Sequence, residues 1–290
     1  MPTIDECIEK VKALIEVELH LLNLSLFIAD KGSAVFNGHE LKSCLTESVR
    51  GVVIAMSLAA GQSLTTVLDS SNKRGIPVRD SFPVARCAVE ALINAAYVLS
   101  GGDKVAERAI RHAQQKAFRE LDRSYGRGEF TFRIKAVEIP DLHQDTQLRK
   151  ALDEFTSKQG KEKNWTDDSV PMRIEKIGQT LGVVPASNFL GAYSLVYSDS
   201  SEIIHGSLFG IQKFYRGDAK SPTTVDEFRA LTAGHIEGIL FAAFLALNGY
   251  LSTYCISQEF RVIEEILRDH FGRFLEVIRA PVSTPDPNAV

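Results

Sequence analysis

Apolar residues recur along the chain at steps of three and four. Ile4, Ile8, Val11, Leu14, Ile15, Leu19, Leu22 and Leu26 fall on one face over residues 3–29, which predicts a long first helix. "DKGSAVFNGHE", residues 30–40, collects Gly, Asn and Ser and reads as a loop. The same periodicity predicts helices over about 40–70, 81–100, 103–124, 145–158, 172–181, 186–205, 224–255 and 257–279. Pro83 falls in the first turn of the third, where its missing N–H costs nothing, "SGG" stops that helix, and Asp103 caps the next. The last carries Val262, Ile263, Ile266, Leu267, Phe271, Phe274, Leu275 and Ile278 as an amphipathic stripe.

The pattern weakens between about 126 and 171. "EFTFRIKAVEIP" alternates briefly, as a short strand pair or extended chain in a segment that is mostly loop, and "GKEKNWTDDSVP" is polar and turn-like. Residues 281–290 are Pro-rich and read as a disordered tail. The expected fold is therefore all-α: a multi-helix bundle of one domain, residues 1–280, with an irregular insert at about 126–171.

Composition leaves this picture intact. Apolar residues make up 44% and charged ones 24%, as in ordinary globular domains, and a net charge of -4 argues against a surface that is basic throughout. Cys7, Cys44, Cys87 and Cys255 are too far apart for ligand pairs, and the first residues show no signal peptide, so reduced thiols in a cytoplasm are expected. Residues 238–256 are long enough to cross a bilayer, but Asn248 and several hydroxyls interrupt them and Glu237 abuts them. They read as a helix buried at the centre of a soluble bundle, and a membrane is not the expected partner. The seven histidines lack metal-ligand spacing, and HExxH, GxxxxGK[ST], GxGxxG and GxSxG are all missing, so neither metal nor cofactor is expected.

Chemistry is suggested where polar residues break the apolar pattern. Arg86, Glu90 and Asn94 stand at i, i+4 and i+8 on an otherwise apolar helix and share one face. The stripe lines a site, or else forms an intrahelical ion pair at the bundle surface. Tyr193, Tyr197, Ser201 and His205 repeat the geometry in "YSLVYSDSSEIIHGS", and Gly206 is a C-cap candidate that would put the imidazole in the last turn, where the helix dipole favours its protonated form. Residues 103–135 hold a basic excess that includes Arg111, His112 and Arg119, consistent with an anionic partner such as nucleotide or RNA or with a solvated helix face. No aromatic stacking platform is read beside these basic residues, which argues against single-strand binding in particular.

"ARCAVEALINAAYVLSGG", "RHAQQKAFRELDR" and "YSLVYSDSSEIIHGS" together resemble an uncharacterised bacterial helical family, domain of unknown function 5677, over roughly residues 40–250. The resemblance implies an all-α fold and a common cluster of Arg86, Glu90, Tyr197, Ser201 and His205, and it brings no activity. That family is broadly similar to the HEPN superfamily, many of whose members are dimeric RNases of toxin and phage-defence systems that use an Arg and a His four to six residues on. Arg229 and His235 have that spacing, with Ala230 where a polar residue is usual.

The two stripes are thus expected to meet in a polar cleft binding an anionic ligand, nucleotide or RNA, in a stress or phage-defence setting. In a catalytic version His205 would be the general acid or base and Arg86, beside Glu90, the charge stabiliser; Tyr197, Ser201, Asn94, Arg111, His112 and Arg119 would bind. The alternative is a non-catalytic interaction protein, a homo-oligomer pairing through the Ile263, Ile266, Phe271 and Phe274 face of its last helix.

Overall fold

The computed structural model of the chain describes residues 3–73, 75, 77–137, 145–216 and 221–279. In chain order these form α1 (Ile4–Lys31), β1 (Ser33–Phe36), β2 (His39–Lys42), α2 (Glu47–Ser71), α3 (Val78–Glu120), β3 (Asp122–Arg127), β4 (Phe130–Lys135), α4 (Thr146–Phe155), α5 (Val170–Leu181), α6 (Val183–Ile204), α7 (Leu208–Arg216), α8 (Val225–Gln258) and α9 (Arg261–Arg279). The fold is the expected all-α bundle, with two antiparallel hairpins as its only sheets among the described residues.

Local chemistry sets the helix ends. Thr3 and Thr224 each open a helix with a capping box, their hydroxyls accepting from the Glu6 and Glu227 amides while those carboxylates reach back. Gly32 closes α1 in the left-handed region at φ 87°.

Helix α8 is the axis of the core. Leu240, Phe244, Leu247, Tyr250, Leu251 and Tyr254 are all buried, with α1, α3, α6 and α9 packed around them. One apolar cluster runs through α1, α2, α3, α5, α6, α8 and α9. Helices α2, α3 and α8 are each long and apolar enough to cross a membrane by length and composition. The polar interruption at Asn248 has a local reason: its Nδ2 donates to Glu18 Oε1 at 2.7 Å, and its Oδ1 accepts from Asn188 at 3.0 Å. The carboxylate of Glu18 is thereby held in the core.

Several boundaries differ from expectation. The loop read over 30–40 contains β1, an Asn37-Gly38 turn with positive φ at both residues (48° and 79°), and the start of β2. That turn type matches the strand twist, and Asn-Gly is its usual sequence. The third and fourth helices are one element, α3, broken at Gly102 (φ 62°, ψ -153°), a conformation open only to glycine. Helix α3 starts at Val78, so Pro83 lies inside it rather than in its first turn, and the Asp103 carboxylate accepts from the Thr46 hydroxyl. Of the two readings open for the alternating piece after α3, the strand pair holds, as the β3–β4 hairpin, and α7 falls where no helix was predicted. The tail at 281–290 lies outside the described residues.

Much of the last helix's apolar face packs within the chain. Ile263 and Phe274 are buried within the chain, and Ile266 and Phe271 pack against the same core. Phe274 stacks on Phe244 at 4.3 Å, so α9 completes the bundle.

Candidate functional site

Helices α3 and α6 run antiparallel, and this brings the two predicted stripes together. Ser200, fully buried, donates to the Phe82 carbonyl at 3.0 Å and fixes their register. One turn further along α3, Arg86 Nε donates to Glu90 Oε1 at 2.7 Å, and its guanidinium lies 4.2 Å from the Tyr197 ring centroid. Tyr193 stacks against Tyr197 with centroids 4.3 Å apart. Burial, and then the neighbouring Tyr197 hydroxyl, push the Tyr193 phenol up to about 12. Burial draws the Arg86 guanidinium down, but the hydrogen bond and charge of Glu90 outweigh it and raise it. Both groups keep their protons across physiological pH, so this cluster is an ion pair with an aromatic cover.

The stripe on α3 continues past Asn94 to Tyr97. Arg173 of α5 reaches across, with Nη1 donating to Asn94 Oδ1 and Nε to the Asp168 carbonyl at 3.1 Å. Both partners are neutral oxygens. The Asp168 carboxylate is taken by Tyr97 (2.6 Å) and Lys176 (2.5 Å), whose hydrogen bonds hold it below the usual carboxylate range, Lys176 contributing most. No carboxylate of the described residues pairs with Arg173 within 4.0 Å, and burial pulls its pKa below the ordinary arginine value. The Trp165 ring lies 5.7 Å from this guanidinium and meets Tyr97 edge-on at 5.8 Å.

Residues 165–168 separate two adjoining cavities. One, about 540 Å³, lies between α3 and α5 and is walled by Tyr97, Trp165, Lys104, Arg108, Lys176 and the two aspartates 167 and 168. The other, about 650 Å³, is lined by Arg173, Lys163 and Trp165, by the carboxylates Glu162, Asp167 and Asp168, and by Ser169, the residue that opens α5. Cations outnumber carboxylates around the first, whereas around the second Arg173 and Lys163 share the wall with Glu162, Asp167 and Asp168.

The remaining candidates fall elsewhere. His205 is exposed at the end of α6, in a Schellman motif: Ser207 donates to the Glu202 carbonyl at 3.2 Å, Gly206 to that of Ile203 at 3.0 Å, and Gly206 takes φ 61°. "YSDSSEIIHGS" is thus a capped helix end whose Tyr197 alone joins the Arg86 cluster. The hydroxyl that ties α6 to α3 belongs to Ser200, whereas Ser201 is half-buried and gives its backbone carbonyl to the His205 amide.

The basic half of α3 is covered by acids distant in sequence. Arg111 Nε donates to Glu154 at 2.8 Å, Arg119 approaches Glu162 at 3.4 Å, and Lys116 pairs with Glu162. His112 packs edge-on against Phe155 at 5.1 Å, and burial, followed by the Lys116 charge, lowers its pKa. These three site candidates therefore form a neutralised seam under α4 and line neither cavity themselves, although Glu162, which neutralises Arg119, also borders the Arg173 cavity. Arg229 is exposed and pairs with Asp226 at 3.5 Å, while the His235 ring stacks on Phe214 at 5.1 Å, so that Arg and His do not form one cluster. No group of three or more potential metal ligands comes together among the described residues.

Tyr97, Trp165, Asp168, Arg173 and Lys176 were not found in the sequence. A signal existed for Tyr97, which continues the face of Arg86, Glu90 and Asn94 at the next i+3 step. The others depend on a fold-back of the 156–169 segment that no local pattern announces.

The architecture is that of an all-helical protein with two polar cavities beside α3 and α5. Residues 58–222 match the sequence pattern of DUF5677, a family of unknown function, and the chain belongs to that family. Neither a curated protein nor a solved structure matches the chain.

Proposed function

We propose that the paired cavities around Trp165 bind a small anionic ligand carrying a flat ring, and that a nucleotide is the class that fits. The observation that carries this reading is the Arg173 guanidinium: half-buried, bonded only to neutral oxygens, and facing a cavity. A shielded charge with no carboxylate in direct contact, only the more distant Glu90 and Asp168, is costly, and a phosphate or carboxylate supplied by a ligand would lower that cost. Bidentate acceptance by such a group suits a guanidinium better than an ammonium. Trp165 and Tyr97 provide the apolar wall for a ring, and a cavity of this size is in the usual range for small-molecule sites. The reading is one of binding, since His205 lines neither cavity.

Thermal unfolding with millimolar nucleoside mono- and diphosphates, and with inorganic phosphate, tests it. A ligand that binds only the folded state raises the midpoint in proportion to its occupancy. At least one nucleotide is expected to do so for the wild type and for His205→Ala, and to lose the effect in Arg173→Gln. Lys176→Ala, on the exposed rim, is expected to weaken it. The reading fails if no nucleotide shifts the midpoint, or if the shift persists in a folded Arg173→Gln variant.

A further inference from the structure

The β3–β4 hairpin leaves the body of the protein at the C-terminal end of α3 and is exposed along both strands. Its register places Arg123 opposite Ile134, Tyr125 opposite Phe132 and Arg127 opposite Phe130. Alternate residues point to the same side, so these six make one face, and the other carries Asp122, Ser124, Thr131, Arg133 and Lys135. The result is a ribbon with one aromatic and basic side. Phe130 is 89% exposed and Phe132 65%. A two-stranded ribbon is marginal alone in water, and exposed aromatic area of this kind marks an interaction surface.

Charge selects the occupant. Residues 122–135 hold four cations against two carboxylates in a chain whose net charge is -4. Arg123 and Arg133 are paired with Glu120 and Asp122, whereas Arg127 and Lys135 have no ion pair among the described residues. A second copy of the same face would bring its arginines against these. An anionic bilayer would meet the turn first, and the turn presents Glu129, with the rings along the flank rather than at the tip. A strand of bases laid along the flank satisfies both features: every base has a face to stack on a ring, and arginine carries phosphate or stacks as well.

We propose that the β3–β4 ribbon docks single-stranded nucleic acid, with bases stacked on Tyr125, Phe130 and Phe132 and phosphate held by Arg127. The ribbon's rings line neither Trp165 cavity; the second comes nearer to it, through Glu162, which pairs with Arg119 at the end of α3.

Fluorescence anisotropy with labelled RNA and DNA oligonucleotides of about twenty nucleotides, single- and double-stranded, tests this. Single strands of one or both chemistries are expected to bind the full chain more tightly than duplexes. The double variant Phe130→Ala/Phe132→Ala removes only exposed rings and is expected to weaken binding by at least about tenfold. Arg127→Ala is expected to lower the slope of log affinity against log salt by about one. Arg173→Gln is expected to leave oligonucleotide affinity unchanged, while the ring variants keep any nucleotide-induced thermal shift, so failure here and failure of the cavity reading are separable. The proposal is overturned by no binding of any single strand, by equal affinity for duplex, or by binding that survives loss of both phenylalanines. Sedimentation with anionic vesicles, or self-association, that depends on those rings in the absence of oligonucleotide binding also overturns it.

Discussion

Phe155→Ala isolates what holds the cover of the basic seam in place. Phe155 is fully buried, with Leu148 and Ala151 beside it on α4, and its ring lies against His112 and the Arg108 guanidinium, the latter at 5.6 Å. Truncating a buried phenylalanine costs roughly 3–5 kcal/mol where the surroundings cannot collapse. Helix α4 has ten residues, too few for stability on its own, and it packs on α3 rather than in the main cluster. The loss should therefore appear as local undocking. A cost of about 3 kcal/mol corresponds to an opening constant raised roughly a hundredfold. Hydrogen exchange resolved by segment is the assay: residues 146–155 should exchange faster by about that factor, up to the limit of full exposure, while the α8 amides keep their protection. Undocking also separates Glu154 from Arg111, so salt-sensitive binding of polyanions to the variant should rise. If α4 exchanges as in the wild type, or if α8 loses protection in step with α4, the reasoning is wrong and the cover is part of the cooperative core.

Glu18→Gln addresses the buried carboxylate facing Asn248 and His270. Burial raises the Glu18 pKa, more than the nearby His270 ring and the Asn248 hydrogen bond lower it. With a folded pKa above the unfolded one, the stabilising contribution is complete below the ordinary carboxylate value and is lost as pH rises through the folded pKa. The glutamine keeps an oxygen for Asn248 and no charge, so the variant should melt several degrees above the wild type near pH 8 and converge with it near pH 4, in melts followed by circular dichroism; a variant less stable at pH 8 would contradict this. Gly102→Ala forces a Cβ into φ 62°, ψ -153°, and should cost about 1–3 kcal/mol in chemical denaturation, whereas Gly234→Ala, with ordinary φ and open space at its Cβ, should be nearly neutral.

The long helices were legible because each buries one continuous stripe, and period 3.6 survives in the sequence whatever the stripe packs on. The Arg86–Glu90 contact was legible for the same reason, both ends lying on one helix. Antiparallel contact of α3 with α6 was not, since Ser200 and Ser201 are equivalent in sequence and only docking buries one of them. Asn37-Gly38 was a readable turn, obscured by the shortness of strands that alternate over four residues. The β3–β4 alternation was visible in "EFTFRIK", but its rings remain exposed, so no burial pattern distinguished a strand from a loop. Arg173 was unreadable because its significance is a lack of carboxylate contact, which depends on Asp168 being occupied by Tyr97 and Lys176.

The acidic cover over α3 also sets how the protein is felt at a distance. Arg108, Arg111, Lys116 and Arg119 have Glu154, Glu162 or Asp167 within 4 Å. At physiological ionic strength fields fade over about 8 Å, so an approaching polyanion senses these residues as multipoles of little reach. The electrostatic capture radius on that flank is then governed by Arg127 and Lys135, and the encounter rate with a charged polymer should follow those two side chains far more than the helical arginines.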